Sequence, residues 1–520
     1  MQYDYLNRNA WIIAMIFIVL SGLFIQYPYM NEFPSYIHAW SQSDRYAIAL
    51  GFLNNNFDLF HPETFIYNKQ FPNDWNFPHT TTITSVDLPL MEFLVAILMK
   101  ITGVTSPWIF RSCTLLIAVI GMFYLYKLAF LLTNDWIKSL LVTAVAMTSP
   151  VYAYYFNGFI PSIPAFTFAI IAMYSYVKYI NINKLYCFIC AMIFITLSLL
   201  TRTSFAVIYV ALLGFEFLRI IRKESECNGK ILPISISIIV FILYYLWNKH
   251  LSSEHGTLFL SELMPADDWN DFISRMSEAK KYWLFHYFTE VHYRLFAISI
   301  LFAVLYLVYN KLLHGKIDEV NVVSRNNSLW IFIIVSIFGY FLFTVAMAKQ
   351  FPNHDYYFID TYFLPILLSF ILILKSLPTI DNYKKGIVFF MISAAFVSVM
   401  FKNVNEKQEI RRRNYWGAAS ERTIENYKDS EQFLDSIGIS KDAKILTLWA
   451  YPQNTPFILM NRKGYTEMFD KEDKIEIGLS FDYDYVVIEN ELLEDDKKKR
   501  YLSDLNYVSD NGKISVFCQF

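Results

Sequence analysis

Asp87-Leu-Pro-Leu-Met-Glu92-Phe-Leu-Val-Ala-Ile-Leu-Met-Lys100-Ile-Thr-Gly103 decides how this chain is threaded. From Leu88 the stretch is apolar, yet at about 16 residues it falls short of the ~20 that a helix needs to cross a bilayer. It also carries Glu92 and Lys100, and Pro89 stands at its start, where a first-turn proline is tolerated. If the stretch lies flat, alternate loops hold Lys127 and Lys138; Lys178 and Lys184; Arg219, Arg222, Lys223 and Lys230; Lys311, Lys316 and Arg325; and Lys375, Lys384 and Lys385. That is a consistent positive-inside pattern, and it reverses if the stretch crosses. The flat reading therefore puts the N-terminus inside and the C-terminus outside.

The remaining sequence fits this threading. The chain has 520 residues, 55% hydrophobic and 18% aromatic with 16 glycines, a composition of polytopic membrane proteins rather than large soluble enzymes. Spanning windows fall at 10–27, 108–131, 136–154, 161–179, 185–200, 203–221, 231–248, 291–309, 329–347, 359–376 and 386–401, about eleven spans. Gln26-Tyr27-Pro28-Tyr29 is a poor signal-peptidase site, so the first window reads as a retained anchor. A net charge of −2 offers no basic face for nucleic acid. Cys187 and Cys190 form a C-x-x-C inside an apolar run and read as small hydrophobes; Cys113, Cys227 and Cys518 add no disulfide framework.

Two segments differ from the spans. Residues 28–107 form a long, wet, aromatic external loop holding Asp44, Asp58, Asp74 and Asp87. Residues 402–520 are charged, with a helical pattern over Glu421–Ile437, strand-like runs at Lys444–Trp449, Tyr485–Glu489 and Ile514–Phe517, and a hairpin turn at Asp510-Asn511-Gly512. This tail predicts a small external α/β domain, attached to a catalytic membrane module over 1–401. Lys497-Lys498-Lys499-Arg500 reads as a solvated helix face.

The threading gathers polar residues on the outer face. Asp44 follows the first span closely, and a carboxylate in a partly desolvated cleft can take the proton of an attacking hydroxyl. Arg45 beside it reads either as a substrate contact or as a structural partner. Asp87 caps the flat helix at its N-cap or first turn, or serves as a second acid facing the same cleft. Lys349-Gln-Phe-Pro-Asn-His354-Asp355-Tyr356-Tyr357 crowds polar and aromatic groups at the start of a span, with His354 and the tyrosine hydroxyls as donors to a phosphate. An aromatic belt is the plainer reading. Arg202 contravenes the positive-inside tendency, and its planar fork suits a phosphate; snorkelling at a helix end is the alternative.

Four stretches, in order, carry a family resemblance. They are His38-x-Trp40-x-Gln42-x-Asp44-Arg45-x-Ala47 leading to Pro62; Asp87-x-Pro89-Leu90 leading to Gly103; Tyr154-Tyr155 through Pro161-Ser162-Ile163-Pro164-Ala165; and His354-Asp355-Tyr356-Tyr357 with Pro365. Together they resemble the bacterial branch of the dolichyl-phosphate-mannose protein mannosyltransferase superfamily, GT-C glycosyltransferases that include the aminoarabinose lipid A transferases. The resemblance implies an inverting transferase in a bacterial inner membrane, with its site and C-terminal domain on the periplasmic side. Asp44 would be the base, Asp87 a second catalytic acid, and His38, Arg45, Arg202, His354, Asp355, Tyr356 and Tyr357 the substrate-binding set. The donor would be a sugar on a polyprenyl phosphate, and the acceptor a glycan, lipid or protein. A divalent metal at Asp44 is compatible with the pattern and not required by it. Where relatives often carry Asp, this chain has Ser162, which removes an acid; where they often carry Lys, Arg202 keeps the charge.

Two other function classes compete. A transporter or flippase of lipid-linked sugars predicts inverted repeats and charges at mid-bilayer, whereas Glu216 and Lys127 lie near the cytoplasmic ends. A structural or assembly protein leaves the ordered motifs of the first loop unexplained.

Overall fold

A computed structural model describes residues 2–71, 77–259, 262–314, 323–378, 380, 383–413, 418–469 and 471–519. Asp74 of the loop acids and Lys316 of the charge pattern lie outside the described residues.

The chain opens with α1 (Gln2–Gln26), and the long loop that follows, expected to be external, holds α2 (Ala39–Asn54) and α3 (Leu90–Thr102). There follow α4 (Pro107–Thr133), α5 (Trp136–Met147), α6 (Pro150–Tyr155), α7 (Ser162–Ile182), α8 (Leu185–Thr201), α9 (Ala206–Ile221) and α10 (Ile231–His255). The membrane half closes with α11 (Trp269–Tyr287), α12 (Glu290–His314), α13 (Val323–Ala346), α14 (Tyr357–Asp360), α15 (Phe363–Ser376) and α16 (Tyr383–Arg411). Eight of these helices contain a stretch long and apolar enough to span a bilayer, and α5, α8 and α15 are shorter apolar helices. Together they fall on the windows counted as spans.

Local chemistry sets the boundaries. Asp135 caps α5, its carboxylate accepting from the backbone N–H of Ile137 at 2.9 Å and of Lys138 at 3.0 Å, directly after Asn134 ends α4 in the left-handed region. The window expected as one span over 136–154 is two helices. Pro150 has no N–H to donate and its ring clashes with a preceding carbonyl, so the helix stops at Met147 and restarts at Pro150. The wholly buried α6 thereby delivers Tyr154 and Tyr155 inward.

At about 20 Å, α3 is too short to cross a bilayer. Its Met91, Val95 and Met99 pack against Tyr46 and Ala49 of α2 and Ile109 and Phe110 of α4, while Leu94, Leu98 and Ile101 stay exposed. Inside this contact the Arg45 guanidinium donates to Glu92 at 3.1 Å, both side chains 1% exposed, and covers the Phe259 ring. Asp87 does not cap the helix as expected. Pro89 is the N-cap, and the Asp87 carboxylate turns away to accept from the Thr203 hydroxyl. At the other end of the bundle, buried Glu216 gathers Lys230 at 2.5 Å, Ser225 at 2.6 Å, Tyr176 at 2.7 Å and Arg219 at 3.0 Å, fastening the 219–230 loop.

The tail folds as a five-stranded sheet ordered β2-β1-β3-β5-β4: β1 (Ile445–Leu448), β2 (Gly464–Glu467), β3 (Tyr485–Glu489), β4 (Asn506–Asp510) and β5 (Ile514–Cys518). β1 is parallel to β2 and β3, and β4 and β5 form the antiparallel hairpin signalled by Asp510-Asn511-Gly512. β2 gave no alternating signal because all four of its residues are buried. The boundary expected at 401/402 falls inside α16, which runs to Arg411; the sheet unit begins with α17 (Ala419–Tyr427).

This unit is joined to the long loop by backbone pairing. Tyr67 N–H donates to the Gly464 carbonyl at 2.8 Å and Gly464 N–H to the Phe65 carbonyl at 2.9 Å, so residues 65–67 cover the β2 edge. Asn68 continues the seam by exchanging two side-chain hydrogen bonds with Thr466. Gly464 lets β2 lie close against β1, since a Cβ there would lie 1.8 Å from the Ile445 carbonyl oxygen. Ala47, Phe65, Ile66 and Leu258 share one core with Tyr427, Leu434, Ile445 and Phe457. The tail is thus continuous with the loop, not a tethered independent body.

The charge pattern gives a direct expectation for topology. A reporter fused after Lys223 should read as cytoplasmic and one fused after Lys407 as external; both on one side would mean that 88–103 crosses.

Candidate active site

The site is organised by a carboxylate with no exposed surface. Asp355 accepts from the Tyr155 hydroxyl at 2.8 Å, lies 3.2 Å from His38 Nε2, and is paired with the Arg411 guanidinium. Burial pushes its pKa up, but Arg411 and His38 more than offset this and hold the carboxyl well below its usual range. Arg411 in turn lies against the Tyr154 ring at 4.6 Å and the Trp283 ring at 5.8 Å. His38 precedes α2 in the left-handed region, φ +58°, an uncommon conformation for a side chain of its size. That bend aims its ring at Asp355 and stacks it on His354, centroids 5.3 Å apart.

Above this hub lies a cavity of about 740 Å³. Its walls come from Tyr36, His38, Trp40 and Ser41, from Phe71, Leu258, Phe259 and Met264, from Gln350, Asn353, His354, Tyr356 and Tyr357, from Arg202, and, from the tail, Ala419–Glu421 and Tyr451. Arg202 is one of the wall residues. Its Nε donates to buried Asp360 at 2.8 Å, its Nη1 lies 3.9 Å from Asp87, and the guanidinium sits 5.2 Å from the Tyr356 ring centroid. With 15% of its side chain exposed, it presents charge to the cavity while held from behind. Glu421 belongs to the part of the wall formed by the tail. Its Oε1 accepts from Tyr36 N–H at 2.8 Å and from the Ser420 hydroxyl at 2.7 Å.

Of the expected binding residues, His38, Arg202, His354, Tyr356 and Tyr357 line the cavity. Arg45 and Asp355 do not; the first is consumed by Glu92 and the second by the hub. His354 lines the wall in a different role from the donor expected. Burial, reinforced by His38, pushes its pKa down to about 3, so the ring is neutral at ordinary pH. Its Nδ1–H donates to the Gln350 carbonyl at 2.9 Å, which leaves Nε2 as an acceptor.

Neither expected catalytic acid reaches the cavity wall. Asp44 is completely buried: Gln453 Nε2 donates to both of its oxygens at 3.2 Å, and Asn454 Nδ2 donates to Oδ1 at 2.8 Å. The orientation of Asn454 is fixed, because its Oδ1 accepts from Phe65 N–H at 3.2 Å. Burial raises the Asp44 pKa to about 7 against these amides and Arg45. A metal does not fit here, since two amide N–H donors already face the carboxylate. Among the described residues, no three His, Cys, Asp or Glu side chains gather in a metal-binding group.

Glu421 and Tyr451 escaped the sequence reading because a Glu in an amphipathic tail helix looks like any solvated residue. Arg411 carried the cue that singled out Arg202, a cation on the expected outer face.

The comparisons agree with this architecture. The model of the family described as dolichyl-phosphate-mannose-protein mannosyltransferase matches residues 86–247. No curated protein sequence matches the chain. Among solved structures, ArnT from Cupriavidus metallidurans bound to undecaprenyl phosphate aligns at 9% identity and TM-score 0.50, covering 96% of this chain and 97% of that one. The Archaeoglobus fulgidus oligosaccharyltransferase in its apo form aligns at 12% identity and TM-score 0.53, covering 94% and 70%. The arabinofuranosyltransferase AftD from Mycobacteria aligns at 12% and TM-score 0.52, covering 98% of this chain and 40% of that one. By fold, this chain is a polytopic helical membrane protein with the architecture of ArnT and these other GT-C structures, and the family model matches it over 86–247.

Proposed function

We propose that this protein is an inverting glycosyltransferase that takes a sugar from a polyprenyl-phosphate carrier at the outer face of a bacterial inner membrane and places it on an acceptor hydroxyl. The observation that carries the reading is Arg202, a cation facing the cavity at the end of a membrane helix, backed by Asp360 and framed by Tyr356. Asp360 orients the guanidinium from behind while part of it faces the cavity, and its planar fork suits phosphate oxygens. The undecaprenyl phosphate bound to the ArnT neighbour is a donor carrier of this chemistry.

In the proposed reaction the acceptor oxygen attacks the anomeric carbon while the bond from that carbon to the phosphate oxygen breaks. The electron pair leaves with the phosphate, where Arg202 stabilises it. Phosphate is a good leaving group, so no strong general acid is needed. In-line attack puts the acceptor on the side of the sugar away from the departing phosphate, and its proton is released to water. Asp44 was the expected base. Its burial behind Gln453 and Asn454 supports a positioning role, holding the 451–454 loop and hence Tyr451 at the cavity wall.

Arg202→Ala should raise the donor KM or lower kcat/KM by about 10- to 100-fold, the size of a lost charge-assisted contact. Unchanged kinetics with a saturable polyprenyl-phosphate sugar would remove Arg202 from the site.

Asp44→Asn should keep transfer within about tenfold of wild type, whereas loss of a general base costs about 100-fold or more; a loss that large would restore Asp44 as the base. Its folded pKa of about 7 stands above the ordinary 3.8. The proton-linked stabilisation is therefore complete below the ordinary pKa and is lost as pH rises through about 7. The wild-type melting temperature should fall over that window, and Asp44→Asn should flatten the profile. Parallel profiles would show that Asp44 does not titrate there.

A further inference from the structure

The cavity wall carries charge of both signs: the Arg202 guanidinium and, from the tail, the carboxylate of Glu421. Glu421 is held for a purpose beyond packing. Oε1 takes the Tyr36 N–H and the Ser420 hydroxyl, which fixes the carboxylate plane, and among the described residues no hydrogen bond to Oε2 is found. Tyr36 adopts φ +60°, a left-handed conformation that costs a bulky residue about 1 kcal/mol or more. Next to this carboxylate stand three half-buried aromatic rings, Tyr36, Trp40 and Tyr451, the last two edge-to-face with centroids 6.1 Å apart.

We infer that this corner is the acceptor subsite of the transferase proposed above, and that the acceptor it takes is a carbohydrate with neighbouring free hydroxyls. A sugar ring has an apolar C–H face that packs on an aromatic ring, and vicinal hydroxyls that donate together to a carboxylate. A fixed carboxylate beside aromatic faces meets both requirements. An acceptor that offers a phosphate to this corner is disfavoured, because Glu421 would stand against like charge. A peptide acceptor offers one serine or threonine hydroxyl and leaves the second acceptor oxygen unused. Asp44 belongs to the same device, since its amide partners hold the loop that carries Tyr451.

The test uses purified full-length protein in detergent, a polyprenyl-phosphate sugar as donor and a panel of methyl glycosides as acceptors. Glu421→Gln retains an oxygen for Tyr36 N–H but places an amide where Oε2 was. It should raise the acceptor KM about tenfold or more while the donor KM and donor hydrolysis by water stay within about twofold. An unchanged acceptor KM, or equal changes in both KM values, would overturn the assignment. Saturation-transfer NMR without donor gives a second readout: methyl glycosides should show transfer with wild type and lose it with Glu421→Gln, and no signal with wild type counts against the subsite. Unchanged melting and donor KM in the variant exclude misfolding. Absence of both transfer and donor hydrolysis in wild type would sink the transferase reading itself, and the NMR arm would still decide on the subsite.

Discussion

Asp355 is an ionised carboxylate with no contact with water, and removing such a group from solvent costs several kcal/mol. That cost is offset only because three segments converge on it: His38 from the long loop, Tyr155 from α6, and Arg411 from the last turn of α16. None of the three would hold its position unaided. His38 sits in the left-handed region, α6 is a fragment between two helix breaks, and Arg411 lies at a helix end. Asp355 thereby sets where loop, membrane bundle and tail meet. The His354, Tyr356 and Tyr357 side chains that flank it in sequence reach the cavity from the backbone that it anchors.

A second constraint follows from the exposed edge of β2. An unpaired strand edge is a liability, and here residues 65–67 of the long loop cover it by exchanging hydrogen bonds with Gly464. The pairing is reinforced by Lys463 and Glu63 at 2.5 Å and by the shared core around Phe65 and Tyr427. Because the Asn454 Nδ2 donates to Asp44 while its Oδ1 accepts from Phe65 N–H, the seam and the buried carboxylate form one contact surface. The tail is then part of the cavity wall by construction, and Glu421 and Tyr451 are as much site residues as Arg202.

How much of this could be read from residues alone follows from the range of each interaction. Spans, the flat helix and the strands β1, β3 and β5 rest on local hydropathy and loop charge, which a sequence displays directly. Arg202 and the 354–357 cluster were visible because each breaks a membrane rule, a cation outside or polar groups crowded at a span start. The partners of Asp44 lie 409 and 410 positions away in sequence, so no spacing argument reaches them. The same holds for Arg45, whose neighbour in sequence suggested a shared cleft while Glu92 claims it from α3. The capping role for Asp87 failed because the helix starts two residues later, with Pro89 as its N-cap, leaving the carboxylate to Thr203 and Arg202.

These interactions also bring the two charged groups of the cavity wall from different parts of the chain. Arg202 directly follows α8; its guanidinium is held by Asp360 and lies near Asp87, whose carboxylate accepts from the Thr203 hydroxyl. Both of these carboxylates are thus engaged, and neither lines the cavity. The carboxylate that does so is supplied by the tail. The sheet unit docked on residues 65–67 brings Glu421 to the wall, and the left-handed turn at Tyr36 presents its N–H to hold it in place. The wall therefore depends on both halves of the chain, Arg202 coming with the helical bundle and Glu421 with the sheet unit.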